Sequence, residues 1–99
     1  MSTPRITALA HVVAKPDHVA YVRTVLTDVV LATRQESGCL SYRLCQHTTN
    51  PAEFTTVEEW TDEGSEEAHC LSAHVLAALS KLNGRLAAAP DIRRYRTIT

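Results

Sequence analysis

Glycine is scarce in this chain. Gly38, Gly64 and Gly84 stand alone, so no glycine-rich loop is available to cradle a phosphate, and neither a dinucleotide nor a nucleoside triphosphate site has support. Cysteine is thin as well: Cys39, Cys45 and Cys70 are odd in number and show no C-x-x-C spacing, which suggests neither a disulfide framework nor a structural zinc site. In one continuous strand Cys39 and Cys45 would stand roughly 20 Å apart, beyond disulfide reach. Reduced thiols in a reducing compartment fit this usage.

An excess of one charge is also missing. The formal net charge is −1, and Lys and Arg are scattered until Arg93, Arg94 and Arg96, so there is no basic face of the kind that nucleic acid requires. Long apolar runs are absent too. The nearest is residues 6–14, which contains His11; it is too short to span a bilayer, and Met1 to Arg5 before it are unlike the flank of a signal peptide. The expectation is a soluble cytoplasmic protein with neither nucleic acid nor membrane as partner.

What is present is an ordinary globular composition, 44% apolar and 21% charged over 99 residues, enough for one core and one pocket in a single domain over residues 1–99. Residues 6–14 favour a first strand. Pro16 breaks it, and Asp17 is a suitable N-cap for a helix with apolar positions Val22, Val25, Leu26, Val29 and Thr33, ending at Ser37-Gly38. A second strand is expected from Cys39 to His47, with Leu40, Tyr42 and Leu44 on one face and Cys39, Ser41, Arg43 and Cys45 on the other. After a turn at residues 48–51, a third strand over residues 53–61 places Phe54, Thr56, Glu58 and Trp60 on one side. Residues 63–83 read as helical with a break near Ser72, and Gly84 and Pro90 end that region. Residues 91–98 read as a last strand.

The order β-α-β-β-α-β predicts an α+β, ferredoxin-like fold, with an antiparallel sheet carrying both helices on one face. The other face would be left open, and a second copy is expected to cover it, giving a homodimer with a dimeric α/β barrel.

Several segments carry a resemblance: Glu36-Ser37-Gly38-Cys39-Leu40-Ser41-Tyr42, Asn50-Pro51, Phe54-Thr55-Thr56-Val57-Glu58-Glu59-Trp60, and Glu67-Ala68-His69-Cys70-Leu71-Ser72-Ala73-His74. In these the chain resembles the antibiotic biosynthesis monooxygenase domain, in particular its small quinol monooxygenase branch. The resemblance implies a dimeric ferredoxin-like barrel, a pocket between sheet and helices of each subunit, and Trp60 as a pocket residue. Some members of the family place an asparagine on the third strand, near where Thr56 stands here, to hold the substrate's ionising oxygen. The haem-degrading branch pairs an axial histidine with an asparagine on the first strand, and residues 1–15 contain none.

The candidate base is His69, His74, His11 or Glu58. Glu58 on an apolar face needs a partner, either Arg94 or Arg96 of the last strand or, if it stays unpaired, a raised pKa suited to proton transfer. His69 and His74, five apart, would lie about 140° from each other on one continuous helix and could share a ligand only across a break at Ser72. Their spacing is not that of H-E-x-x-H and no carboxylate stands at a matching position, so no metal is expected. Trp60, Tyr42 and Phe54 are candidate pocket walls, and Arg94 and Arg96 could grip an anion.

Three functions fit these groups. The first is a monooxygenase needing no cofactor, acting on a small aromatic or quinol substrate and O₂: removing a phenolic proton gives an anion that itself reduces O₂. The second is an isomerase of a small phosphorylated or carboxylated compound, with Arg94 or Arg96 as clamp. The third is a non-catalytic ligand-binding or stress-response dimer.

Overall fold

The computed structural model describes residues 4–99; residues 1–3, part of the N-terminal stretch weighed above as a leader, lie outside them. Four strands, β1 (Ile6–Val13), β2 (Cys39–Gln46), β3 (Glu53–Trp60) and β4 (Asp91–Arg96), alternate with α1 (Val19–Thr33), α2 (Glu63–Cys70) and α3 (Ala73–Leu82). The sheet order is β2-β3-β1-β4 and every neighbouring pair is antiparallel. This is the ferredoxin-like α+β fold expected from the element order.

Strand alternation decides which side chains meet the helices. Ile6, Ala8 and Val12 of β1 and Phe54, Thr56, Glu58 and Trp60 of β3 are buried, while the residues between them are only partly covered. Against this face α1 lays the stripe Val22, Val25, Leu26, Val29, Val30 and Thr33, and α3 adds Ala78 and Leu82. These residues, with Tyr42, make one apolar core, and recurrence at three and four residues is what lets a helix present such a stripe.

Two local expectations are corrected. Asp17 caps nothing: it lies inside a short 3₁₀ turn, Pro16–His18, and α1 starts at Val19 with no side-chain cap. Proline fixes φ for the first position of such a turn, which brings the helical geometry forward of the acidic residue. In β2 the register shifts between Cys39 and Ser41. The bulge spends Leu40, which is exposed, and lets Cys39 pack against the core, because an extra residue reverses the alternation on its N-terminal side.

The long second helical region is two helices, as the break near Ser72 predicts. The Ser72 hydroxyl donates to the His69 carbonyl at 2.6 Å and accepts the Val75 N–H at 3.4 Å. One side chain thus closes the end of α2 and opens α3. Asp62 starts α2 by accepting the Ser65 N–H at 2.7 Å. Gly38 packs directly beneath that start: a Cβ there would lie 2.1 Å from the Ser65 Oγ, so only glycine fits without displacement.

The opposite face of the sheet carries Thr7, Leu9, His11 and Val13 of β1, with Thr55, Val57 and Glu59 of β3 alongside. All of these are partly accessible in the single chain. No helix of the described residues is long and apolar enough to cross a membrane.

Candidate active site

The break at Ser72 turns the two histidines toward one point. His69, near the end of α2, and His74, in the first turn of α3, both meet Glu36 from the loop between α1 and β2. The Glu36 Oε2 lies 2.7 Å from His69 Nδ1 and 2.9 Å from His74 Nε2. A carboxylate can only accept, so both facing ring nitrogens carry their protons. Thr33 Oγ1 and Ser72 Oγ each stand 3.3 Å from the same His74 nitrogen.

His69 is 5% exposed and its ring stacks among aromatics, with centroids 4.8 Å from Trp60 and 5.4 Å from Tyr42. Its Nδ1 is held by Glu36, and its Nε2 has no hydrogen-bond partner among the described residues. The His69 side chain lines a cavity of about 90 Å³ between the sheet and the helices. Most of the wall is apolar, from Val12, Leu26, Val29, Val75, Leu79 and Ile92 among others, and the polar groups gather at Tyr42, Thr56, Glu58, Glu66, His69 and Cys70.

Glu58 forms no pair with Arg94 or Arg96. Its Oε2 accepts from Thr56 Oγ1 at 2.6 Å and its Oε1 from Trp60 Nε1 at 3.0 Å. Burial pushes its pKa up, and the hydrogen bonds from Thr56 and Trp60 oppose that only in part. Two neutral donors satisfy the oxygens of a carboxylate without supplying a countercharge, so its charge stays expensive. Tyr42 beside it is also held well above the usual phenol range, first by burial and then by the Glu58 charge. Its hydroxyl remains a proton donor.

Arg94 is committed elsewhere: its Nε donates to the buried Glu66 at 2.5 Å, and its Nη2 lies 3.6 Å from Cys70 Sγ. The Cys70 thiol donates to the other Glu66 oxygen at 3.2 Å. Burial, and that bond to a carboxylate, raise the thiol's pKa. Arg94 and Arg96 line a shallow recess with Ile6, Glu63 and Tyr95 rather than the cavity.

The sequence-derived candidates therefore divide. His69, Glu58 and Tyr42 line the cavity. Trp60 stands behind them, fully buried, touching Glu58 and His69. His74 reaches the cluster through Glu36. Phe54 lies toward the far end of β3, against Val30 and Leu44. His11 projects from the opposite face of the sheet, bonded to Thr55 at 3.1 Å and paired with Glu53 at 3.3 Å.

Glu36 was missed as a site residue. Helical spacing reveals a carboxylate only on the helix that bears the histidines, whereas this one arrives from a loop more than thirty residues earlier. The signal available was its position two residues before Gly38, whose close approach to Ser65 delivers that loop to α2.

The family model for antibiotic biosynthesis monooxygenase matches residues 5–81. The chain belongs to that family. Among solved structures, a Pseudomonas aeruginosa protein superposes with a TM-score of 0.92 at 25% identity, over 100% of this chain and 99% of that one. A conserved Methanosarcina mazei protein gives 0.88 at 30% identity, over 96% and 94%. A Deinococcus radiodurans protein proposed to be an antibiotic biosynthesis monooxygenase gives 0.88 at 26% identity, over 95% and 93%. Among curated proteins, none matches the chain. In this antibiotic biosynthesis monooxygenase domain the segment from residue 5 to 81 includes Glu36, Tyr42, Glu58, Trp60, His69 and His74.

Proposed function

We propose that this domain is a cofactor-independent monooxygenase that oxidises a quinol or hydroxyaromatic compound with O₂. The observation that carries the reading is His69, whose Nδ1 is tied to Glu36 at 2.7 Å while its side chain lines an apolar cavity with no hydrogen bond to Nε2 among the described residues. An imidazole held in that tautomer presents a lone pair to whatever enters.

In the proposed reaction His69 Nε2 takes the proton of a phenolic hydroxyl. The resulting anion gives electrons to O₂, and a ring carbon–oxygen bond forms to make a hydroperoxide. The O–O bond then breaks with loss of the ring hydrogen. One oxygen atom stays on the ring, and the other leaves as water with the proton that His69 returns. For a quinol the sum is quinol plus O₂ to hydroxyquinone plus water. The apolar walls raise the reducing power of the anion by keeping water from it, and Glu58 and Tyr42 offer polar contacts to a second substrate oxygen.

The isomerase reading needs a free cationic clamp in the cavity, and the charge of Arg94 is taken up by Glu66. A homodimer belongs to our proposal, with a second copy over the open face of the sheet; Tyr95 of the fully exposed β4 points the same way. So does a cytoplasmic setting, in keeping with three free cysteines.

The test is oxygen consumption by metal-stripped protein against a panel of quinols and phenols, with His69→Ala and Glu36→Gln alongside. Uptake above autoxidation that collapses in both variants supports the reading. Tight binding of the same compounds with no uptake would replace it with the ligand-binding reading, and sedimentation of the protein as a monomer would remove the dimer.

A further inference from the structure

The Glu36, His69 and His74 cluster has a second capacity, one that needs no turnover. Glu36 Oε2, His69 Nδ1 and His74 Nε2 all lie within 4.8 Å of one another, with the two carboxylate-to-imidazole separations at 2.7 and 2.9 Å. Ligands bound to a tetrahedral zinc at about 2.0–2.1 Å stand about 3.3 Å apart. The carboxylate oxygen would therefore draw back from each ring nitrogen by about half an ångström, and the two ring nitrogens would close by up to about 1.5 Å, which small rotations of the three side chains supply. We propose that Glu36, His69 and His74 form a binding site for a divalent first-row cation of the zinc class.

Three further observations favour an ion here. The donor set is two imidazole nitrogens and one carboxylate oxygen, the set that suits zinc with one coordination position left open. Among the described residues no lysine or arginine pairs with Glu36, whose partners are the two imidazoles. Its negative charge has no resident cation when both rings are neutral, so an incoming ion meets no competitor. The frame is also fixed in advance: the Ser72 bonds hold the end of α2 against the start of α3, and the histidines stand one on each.

Binding would not require proton loss from neutral rings. Each imidazole moves its proton to its other ring nitrogen, which frees the nitrogen that faces Glu36. For His69 this puts a proton on Nε2, at the cavity wall. On the monooxygenase reading above, the ion and the base function would then exclude each other, since Nε2 would donate where catalysis needs it to accept.

The test is calorimetric titration of metal-free protein with Zn²⁺, in parallel with Co²⁺ followed by visible absorption and by Trp60 fluorescence. The only tryptophan of the chain stacks 4.8 Å from the His69 ring, so a paramagnetic ion bound at this site should quench it. The expected result is one Zn²⁺ per chain, Co²⁺ bands of a four-coordinate nitrogen and oxygen site, quenching with the same midpoint, and affinity lowered by more than about tenfold in His74→Ala and in Glu36→Gln. Glu36→Gln preserves shape and so guards against a folding failure in the alanine variant. His11→Ala, across the sheet, should bind as the parent does. Absence of saturable binding, or equal affinity in both cluster variants, would overturn the site. These readouts involve no oxygen uptake, so their failure is separate from failure of the proposed activity.

Discussion

Replacing Thr56 by valine removes one of the two donors to the buried Glu58, together with the contact of the Thr56 hydroxyl with Tyr42. Thr56 is 4% and Glu58 3% exposed, and water cannot readily substitute for the lost hydroxyl. The bond is 2.6 Å long, a length typical of a hydroxyl donating to a charged oxygen. A hydrogen bond to a charged group contributes about 1.5–3 kcal/mol, one between neutral groups about 0.5–1.5 kcal/mol. The loss in Thr56→Val should therefore depend on whether Glu58 is charged. Burial already raises the folded-state pKa of Glu58, so the folded protein holds a proton that the unfolded chain releases in the ordinary carboxylate range. Stability linked to this group is fully present below that range, falls as pH rises, and levels off above the folded-state pKa. The valine variant should raise that pKa again and extend the fall to higher pH. Urea denaturation of both proteins across pH 4 to 9 should show a small destabilisation at the acid end, growing to about 1.5–3 kcal/mol at the alkaline end. A destabilisation that is equal at every pH would refute the view that Thr56 stabilises a charged Glu58.

Gly38→Ala should destabilise the domain by about 1–3 kcal/mol, since its methyl group meets Ser65 far inside contact distance; an unchanged urea midpoint would show that the loop yields freely. Asp62, the partly covered N-cap of α2, has its pKa lowered mainly by the Ser65 backbone N–H, so its contribution is present above the unfolded-chain aspartate pKa and lost as pH falls through the folded value. The stability deficit of Asp62→Ala should accordingly shrink in acid, and a deficit that grows in acid would contradict it. Iodoacetamide labelling near neutral pH followed by mass spectrometry should find Cys45, which is exposed, modified before Cys70, whose thiol is held protonated by burial and Glu66; labelling of Cys70 first would show that the thiol is freer than its contacts imply.

Periodicity made most of the fold legible. The alternation of Phe54, Thr56, Glu58 and Trp60 assigned one face of β3 correctly because that strand is regular along its whole length. It failed in β2 at Leu40, where a bulge, invisible to any count of two, changes which side chain faces the core. Asp17 was misjudged because a proline immediately before it starts a tighter turn and consumes the acidic residue. The site was legible in part. Glu58, Trp60 and Tyr42 share the helix-covered face by strand geometry, and His11 fell on the other face, with Leu9 and Val13, as its parity requires. The joining of His69 to Glu36 depends on a loop trajectory that hydrophobic spacing does not encode.

The contact between Gly38 and Ser65 has a dynamic consequence. It clamps the loop bearing Glu36 onto the helix bearing His69, so these two segments should fluctuate as a single rigid body, and breathing of the cavity must come from its other wall. That wall includes Leu79 of α3 and Ile92 of β4, both more than 40% exposed, on elements that bury little themselves. A ligand entering the domain should therefore pass through the end of the sheet nearest β4. Amide hydrogens of the second half of α3 and of β4 should exchange well before those around Glu36, and a bound ligand should slow exchange there first.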